Sequence, residues 1–150
     1  MATYLLVHGA WHGGWCWRRV RDLLTAKGQT VFTPTLTGLG ERAHLARPEV
    51  DLETHIADIL AVVEMEELED VILCGHSYGG IVISGVLDRR PDAFRAGIWL
   101  DAFVPNDGQS LVDGWTHERA QQMREQVAIH GEGWKLAAMT PEYFGVMDDD

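Results

Sequence analysis

Five residues, Gly75-His76-Ser77-Tyr78-Gly79, constrain this chain more than any others. They follow the all-apolar run 71–74 and precede a stretch, 79–90, in which Ile81, Val82, Val86 and Leu87 recur at helical spacing. G-x-S-x-G in that setting dictates a strand, a sharp turn and a helix. Glycine two positions to either side of the serine lets strand and helix approach closely. The serine oxygen is then lifted to the carboxyl end of a sheet, above a helix N-terminus that favours developing negative charge. A glycine-rich turn whose serine only caps the helix is the plainer alternative.

The rest of the chain alternates around this segment. Residues 3–7 suit a strand buried on both faces. Residues 15–27 carry Val20, Leu23 and Leu24 at helical spacing, with Gly28 as the stop. Residues 30–33 read as a second strand, and Pro34, Gly38, Gly40 and Pro48 make 34–50 a loop. Asp51 is placed to cap a helix bearing Ile56, Ile59, Leu60, Val63 and Leu68, and 96–100 reads as a fourth strand. This order predicts a parallel sheet with right-handed crossovers and helices on both faces. From Val104 the character changes to a turn cluster at 105–108, a polar helix within 115–130, a short helix over 134–139 and an acidic triplet at 148–150. The expected division is a core over 1–104 and a helical cap beginning at 105–150.

Twelve Lys+Arg against 23 Asp+Glu give a net charge of -11, which argues against a nucleic-acid partner. No apolar run approaches the roughly 18 residues of a membrane helix, so no membrane association is expected. Met1-Ala2-Thr3-Tyr4 lacks the basic start of a signal peptide, so a cytoplasmic location is expected. Cys16 and Cys74 alone make neither a disulfide framework nor a cysteine zinc site.

His8-Gly9-Ala10-Trp11 ends the first predicted strand. An oxyanion hole takes its second backbone N–H from such a loop, which makes Ala10 and Tyr78 the expected pair of donors. Gly9 lets the backbone turn its amide inward. Gly9, Trp11, His76, Phe103 and Trp115 are the candidate substrate-binding residues, because pockets are mostly apolar and aromatic. Trp15, Trp17 and Trp99 are assigned to packing, and His8 to holding its loop by hydrogen bonds. His12, His44 and His55 have no supporting motif, and His117 and His130 fall on exposed helix positions. Asp101, at the end of the fourth strand, reads as a polar strand-end residue or as an alternative triad acid. Gly38-x-Gly40-x-x-Ala43 has a dinucleotide-like spacing but no helix behind it, and His8-x-x-x-His12 spans a glycine with no Glu beside it.

Residues 6–17 and 75–80, with Leu100-Asp101-Ala102-Phe103-Val104-Pro105, resemble the α/β-hydrolase superfamily. Within it the likeness is to the plant methylesterase and hydroxynitrile lyase branch and its bacterial esterase relatives. The resemblance implies an α/β-hydrolase fold, a Ser–His–Asp triad, an acyl-enzyme intermediate, no cofactor or metal, and a lid over an apolar pocket. Ser77 maps to the nucleophile, and Ala10 and Tyr78 to the oxyanion donors. The family's acid and base lie after two later strands, so the chain is expected to continue past Asp150, to be completed by a second chain, or to pair as a homodimer. The expected function is a serine carboxylesterase acting on small or hydrophobic esters. The alternatives are a hydroxynitrile lyase, in which a Thr typically stands where this chain has Gly9, and a non-catalytic small-molecule-binding protein or inactive fragment.

Overall fold

The computed structural model describes residues 1–146; the acidic triplet 148–150 lies outside them. The chain divides into two compact units, Met1–Asp107 and Gly108–Asp150. The first carries β1 (Thr3–Val7), α1 (Arg18–Ala26), β2 (Thr30–Phe32), α2 (Leu52–Met65), β3 (Val71–His76), α3 (Gly79–Arg89) and β4 (Phe94–Leu100). The sheet is parallel throughout, in the order β2-β1-β3-β4. The chain leaves β1 in one direction to reach β2 and crosses to the other side for β3. The point where the winding reverses therefore lies between β1 and β3, which is where open α/β sheets bind ligands.

Strand alternation explains the two-sided burial. Leu5 and Val7 of β1 join Val71 and Leu73 of β3 in a core with Ile56, Ile59 and Val63 of α2 and Val82, Ile83 and Val86 of α3. Leu6 and Cys74, one residue out of phase, pack on the other face against Trp17. Both central strands are thus apolar at successive positions, as the run 71–74 requires. Asp51 caps α2 as its type and position dictate: its carboxylate accepts from the Thr54 N–H at 3.0 Å and the Thr54 hydroxyl at 3.1 Å.

Several elements differ from the sequence expectation. The stretch 15–27 opens as a 3-10 turn, Gly14–Trp17, and becomes α-helical only at Arg18. A Cβ on Gly14 would run into the Thr33 carbonyl, so this turn lies directly against the end of β2. The turn rotates Trp15 outward, so Trp15, assigned to packing, is 54% exposed and stacks on His12. No residue of α1 is buried. The loop after β2 contains a 3-10 helix, Gly40–Leu45, with Gly38 at φ +83°.

In the second unit α4 (His117–His130) starts at a Thr116 cap, and the Arg119 guanidinium lies 4.7 Å over the Trp115 ring. His117 and His130 are exposed. Residues 134–139 are not helical. Gly133 at φ +82° precedes them and Pro141 follows closely, leaving too few residues to repay helix nucleation. Among the described residues no helix is long and apolar enough to cross a membrane, and no strand follows β4.

Candidate active site

Ser77 sits at φ +53°, in the left-handed region that costs a side chain energy. The surrounding glycines explain why the chain accepts this. A Cβ on Gly75 would run into the Gly79 carbonyl, and one on Gly79 would lie 2.7 Å from the Val7 carbonyl oxygen and 2.8 Å from that of His8. One on Gly80 would lie 2.6 Å from Ala102 Cβ and 2.7 Å from the Phe103 carbonyl oxygen. Strand, turn and helix are therefore packed backbone to backbone, with no space for side chains at the three positions. The turn is also tied to the segment after β4: the Ser77 N–H donates to the Leu100 carbonyl at 3.4 Å, and the Phe103 N–H donates to the Ser77 carbonyl at 3.2 Å.

Register brings the first loop to the same place. Val7 pairs with Gly75, so the residues after β1 emerge beside the serine turn. A Cβ on Gly9 would lie 3.0 Å from Ser77 Cβ, 3.2 Å from His76 Nδ1 and 3.3 Å from the His76 carbonyl oxygen. Gly9, Ala10, His76, Ser77 and Tyr78 are thus assembled at the reversal point of the sheet. Phe103 joins them through its backbone, and its side chain is 39% exposed. Trp11 follows Ala10 at φ +62°. Trp115 lies in the second unit.

Each of the two predicted N–H donors belongs to a planar peptide whose carbonyl is held, and a planar peptide points its N–H opposite its C=O. The Gly9 carbonyl accepts from His8 Nδ1 at 2.8 Å, which sets the direction of the Ala10 N–H. The Ser77 carbonyl accepts from the Gly80 N–H at 3.0 Å as well as from Phe103, which sets the direction of the Tyr78 N–H. Among the described residues neither the Ala10 nor the Tyr78 N–H donates to a protein acceptor, and no hydrogen bond reaches Ser77 Oγ. Both peptides are thus held by their carbonyls next to the serine turn.

His8 is fully buried. Its Nε2 accepts the Leu36 N–H at 3.1 Å, so Nδ1 carries the proton that goes to the Gly9 carbonyl. Burial holds its pKa below the ordinary 6.5, which keeps the ring neutral. His76 is also held low, first by burial and then by the His12 charge, with Asp101 opposing. Asp101 itself is exposed and sits at φ +42° directly after β4. Burial raises the Cys16 thiol to about 11 and the Cys74 thiol likewise upward, so neither offers a thiolate to compete with Ser77. Trp99, assigned to packing, donates from Nε1 to the Gly80 carbonyl at 3.2 Å and to Ser84 Oγ at 3.1 Å. Among the described residues no group of three or more His, Cys, Asp or Glu side chains is placed to hold a metal ion.

Sequence reasoning gave His55 no role. It lies buried on α2, with Nδ1 2.8 Å from the Tyr78 hydroxyl and Nε2 2.9 Å from the Thr37 carbonyl. Its partners come from two other elements, so no local motif could have marked it.

The model of the alpha/beta hydrolase family matches residues 4–150. A carbendazim hydrolyzing esterase of Nocardioides sp. (strain SG-4G) is 58% identical over 112 residues, 75% of this chain and 46% of that protein. Methylesterase 2 of Arabidopsis thaliana is 32% identical over 118 residues, 71% of this chain and 41% of that protein. Among solved structures, an extracellular alpha/beta-hydrolase from a Paenibacillus species, described as sharing structural and functional homology with tobacco salicylic acid binding protein 2, superposes with a TM-score of 0.81 at 31% identity. That match covers 87% of this chain and 53% of the other. The chain spans less than half the length of these two sequence relatives.

Proposed function

This chain belongs to the alpha/beta hydrolase family, and from that premise we propose that Ser77 is the nucleophile of a serine carboxylesterase. The observation that carries the reading is Ser77 held at φ +53° in a turn walled by glycines, with the Gly9 backbone against it. Ser77 Oγ attacks the ester carbonyl carbon and gives its proton to a histidine base. The carbonyl oxygen becomes an oxyanion between the Ala10 and Tyr78 N–H groups, at the N-terminal end of α3. Each such donor contributes about 10²–10³ in rate. The tetrahedral adduct then collapses, the base returns the proton to the departing alkoxide, and the acyl group stays on Ser77. Water, activated by the same base, releases the acid and restores the serine. No described residue is assigned as the base or its acid partner, which the family resemblance puts after two later strands. Gly9 supports hydrolysis over cyanohydrin cleavage, because hydroxynitrile lyases of this branch typically carry a Thr there. Phe103, whose backbone bonds the serine turn, and Trp11, in the loop after β1, are proposed pocket residues.

The test is turnover by the full chain. Short p-nitrophenyl esters and carbendazim, which the Nocardioides relative is named for hydrolysing, are the first substrates to try. Ser77→Ala is expected to abolish turnover, and mandelonitrile is expected to release no cyanide. Turnover that survives Ser77→Ala overturns the proposal.

A further inference from the structure

Thr37 is gripped from both ends by one helix. Its carbonyl accepts from His55 Nε2 at 2.9 Å, while its N–H and hydroxyl donate to the Asp58 carboxylate at 2.6 and 2.8 Å. His55 and Asp58 stand three residues apart on α2 and so share a face. The Arg42 guanidinium reaches Asp58 at 3.5 Å and the Thr35 carbonyl at 2.8 Å. One residue before Thr37, the Leu36 N–H donates to His8, which in turn holds the Gly9 carbonyl.

A carbonyl oxygen can only accept, so His55 Nε2 carries a proton, and in the neutral ring Nδ1 is the acceptor. The Tyr78 hydroxyl is therefore the donor to Nδ1, at 2.8 Å. Burial pushes the Tyr78 phenol upward, which keeps it a protonated donor. The two rings meet edge to face with centroids 5.6 Å apart. A continuous path runs from Tyr78 through His55 to Thr37, then from Leu36 through His8 to the Gly9–Ala10 peptide. The path ends at the two residues proposed above as the oxyanion donors.

We propose that His55 is a positioning residue for the oxyanion site, fixing Tyr78 through its phenol and coupling it to the Ala10 amide through the Leu36–Thr37 segment. The inference rests on the esterase reading of Ser77. Losing the bond from Tyr78 to His55 lets the Ser77–Tyr78 peptide drift, and the loss falls on the transition state.

Tyr78→Phe removes only the hydroxyl and keeps the ring packed on His55. In the full chain, with active sites counted by fluorophosphonate labelling, it is expected to lower kcat about tenfold per labelled Ser77 with KM changed less than twofold. His55→Leu is expected to do the same, and His55→Gln, which can accept from Tyr78 and donate to Thr37, to recover most of kcat. His55→Leu made in the Tyr78→Phe background is expected to add less than twofold, because both remove one interaction. If His55→Leu does not fold, the Tyr78→Phe result alone decides. A Tyr78→Phe enzyme with kcat within twofold of wild type overturns the inference while leaving the esterase reading intact. So does a loss seen only in melting temperature, or full additivity of the two changes. A wild-type chain that neither labels nor turns over ester overturns the esterase reading and this inference with it.

Discussion

Replacing Ser77 by glycine separates the strain at the serine turn from its chemistry. At φ +53° a residue with a Cβ costs about 1–2 kcal/mol relative to its right-handed conformation, and glycine escapes that cost. Glycine gives back about 0.5–1 kcal/mol through the greater freedom of its unfolded chain. The comparison to make is with Ser77→Ala, which also lacks the hydroxyl but keeps the Cβ and the strain. The net expectation is that Ser77→Gly is the more stable of the two by about 0.5–1 kcal/mol, near 2 °C in melting temperature for a domain of this size. Both variants are expected to be inactive. Urea unfolding followed by tryptophan fluorescence reads the difference, since Trp17 is buried on the sheet. If Ser77→Gly is the less stable by about 0.5–1 kcal/mol, the ordinary penalty for glycine, the turn stores no strain and the reasoning fails.

Two further predictions test how the site is built. A Cβ on Gly75 would sit 2.6 Å from the Gly79 carbonyl carbon, where only backbone can yield, whereas one on Gly85 meets the flexible end of Ile56. Gly75→Ala is expected to cost about 3 kcal/mol or more, and Gly85→Ala, which gains helix propensity, to stay within about 1 kcal/mol of wild type; chemical denaturation compares them. His8 is held neutral in the fold, so between its folded pKa and the unfolded 6.5 the unfolded chain binds more protons. Stability is therefore fully present above about pH 6.5 and falls as pH drops through that window, and His8→Asn is expected to flatten the slope between pH 7.5 and 5; an unchanged slope shows that other groups cause it.

The residues that make contacts close in sequence were the legible ones. Gly75, Ser77 and Gly79 define their turn by steric exclusion within five residues, and the structure returns that turn with glycine contacts no side chain permits. Asp51 and Thr54 form their cap within one helical turn. The start of α1 was misplaced because the Gly14 contact that shapes it comes from Thr33, across the sheet edge. His55 was invisible for the same reason: Tyr78 and Thr37 are 23 and 18 residues away, and only packing of α2 beside α3 brings them together. His8 was read as a loop holder, but not its link to Leu36. The helix expected over 134–139 follows local propensity, which the seven residues between Gly133 and Pro141 cannot sustain.

The central claim is that Ser77 is an activated nucleophile. Intact-protein mass spectrometry of the full chain before and after an alkyl fluorophosphonate tests it most directly. The account predicts a single adduct, mapped to the peptide containing Ser77 and absent from Ser77→Ala. No adduct on a folded full chain, or an adduct that persists in Ser77→Ala, contradicts it.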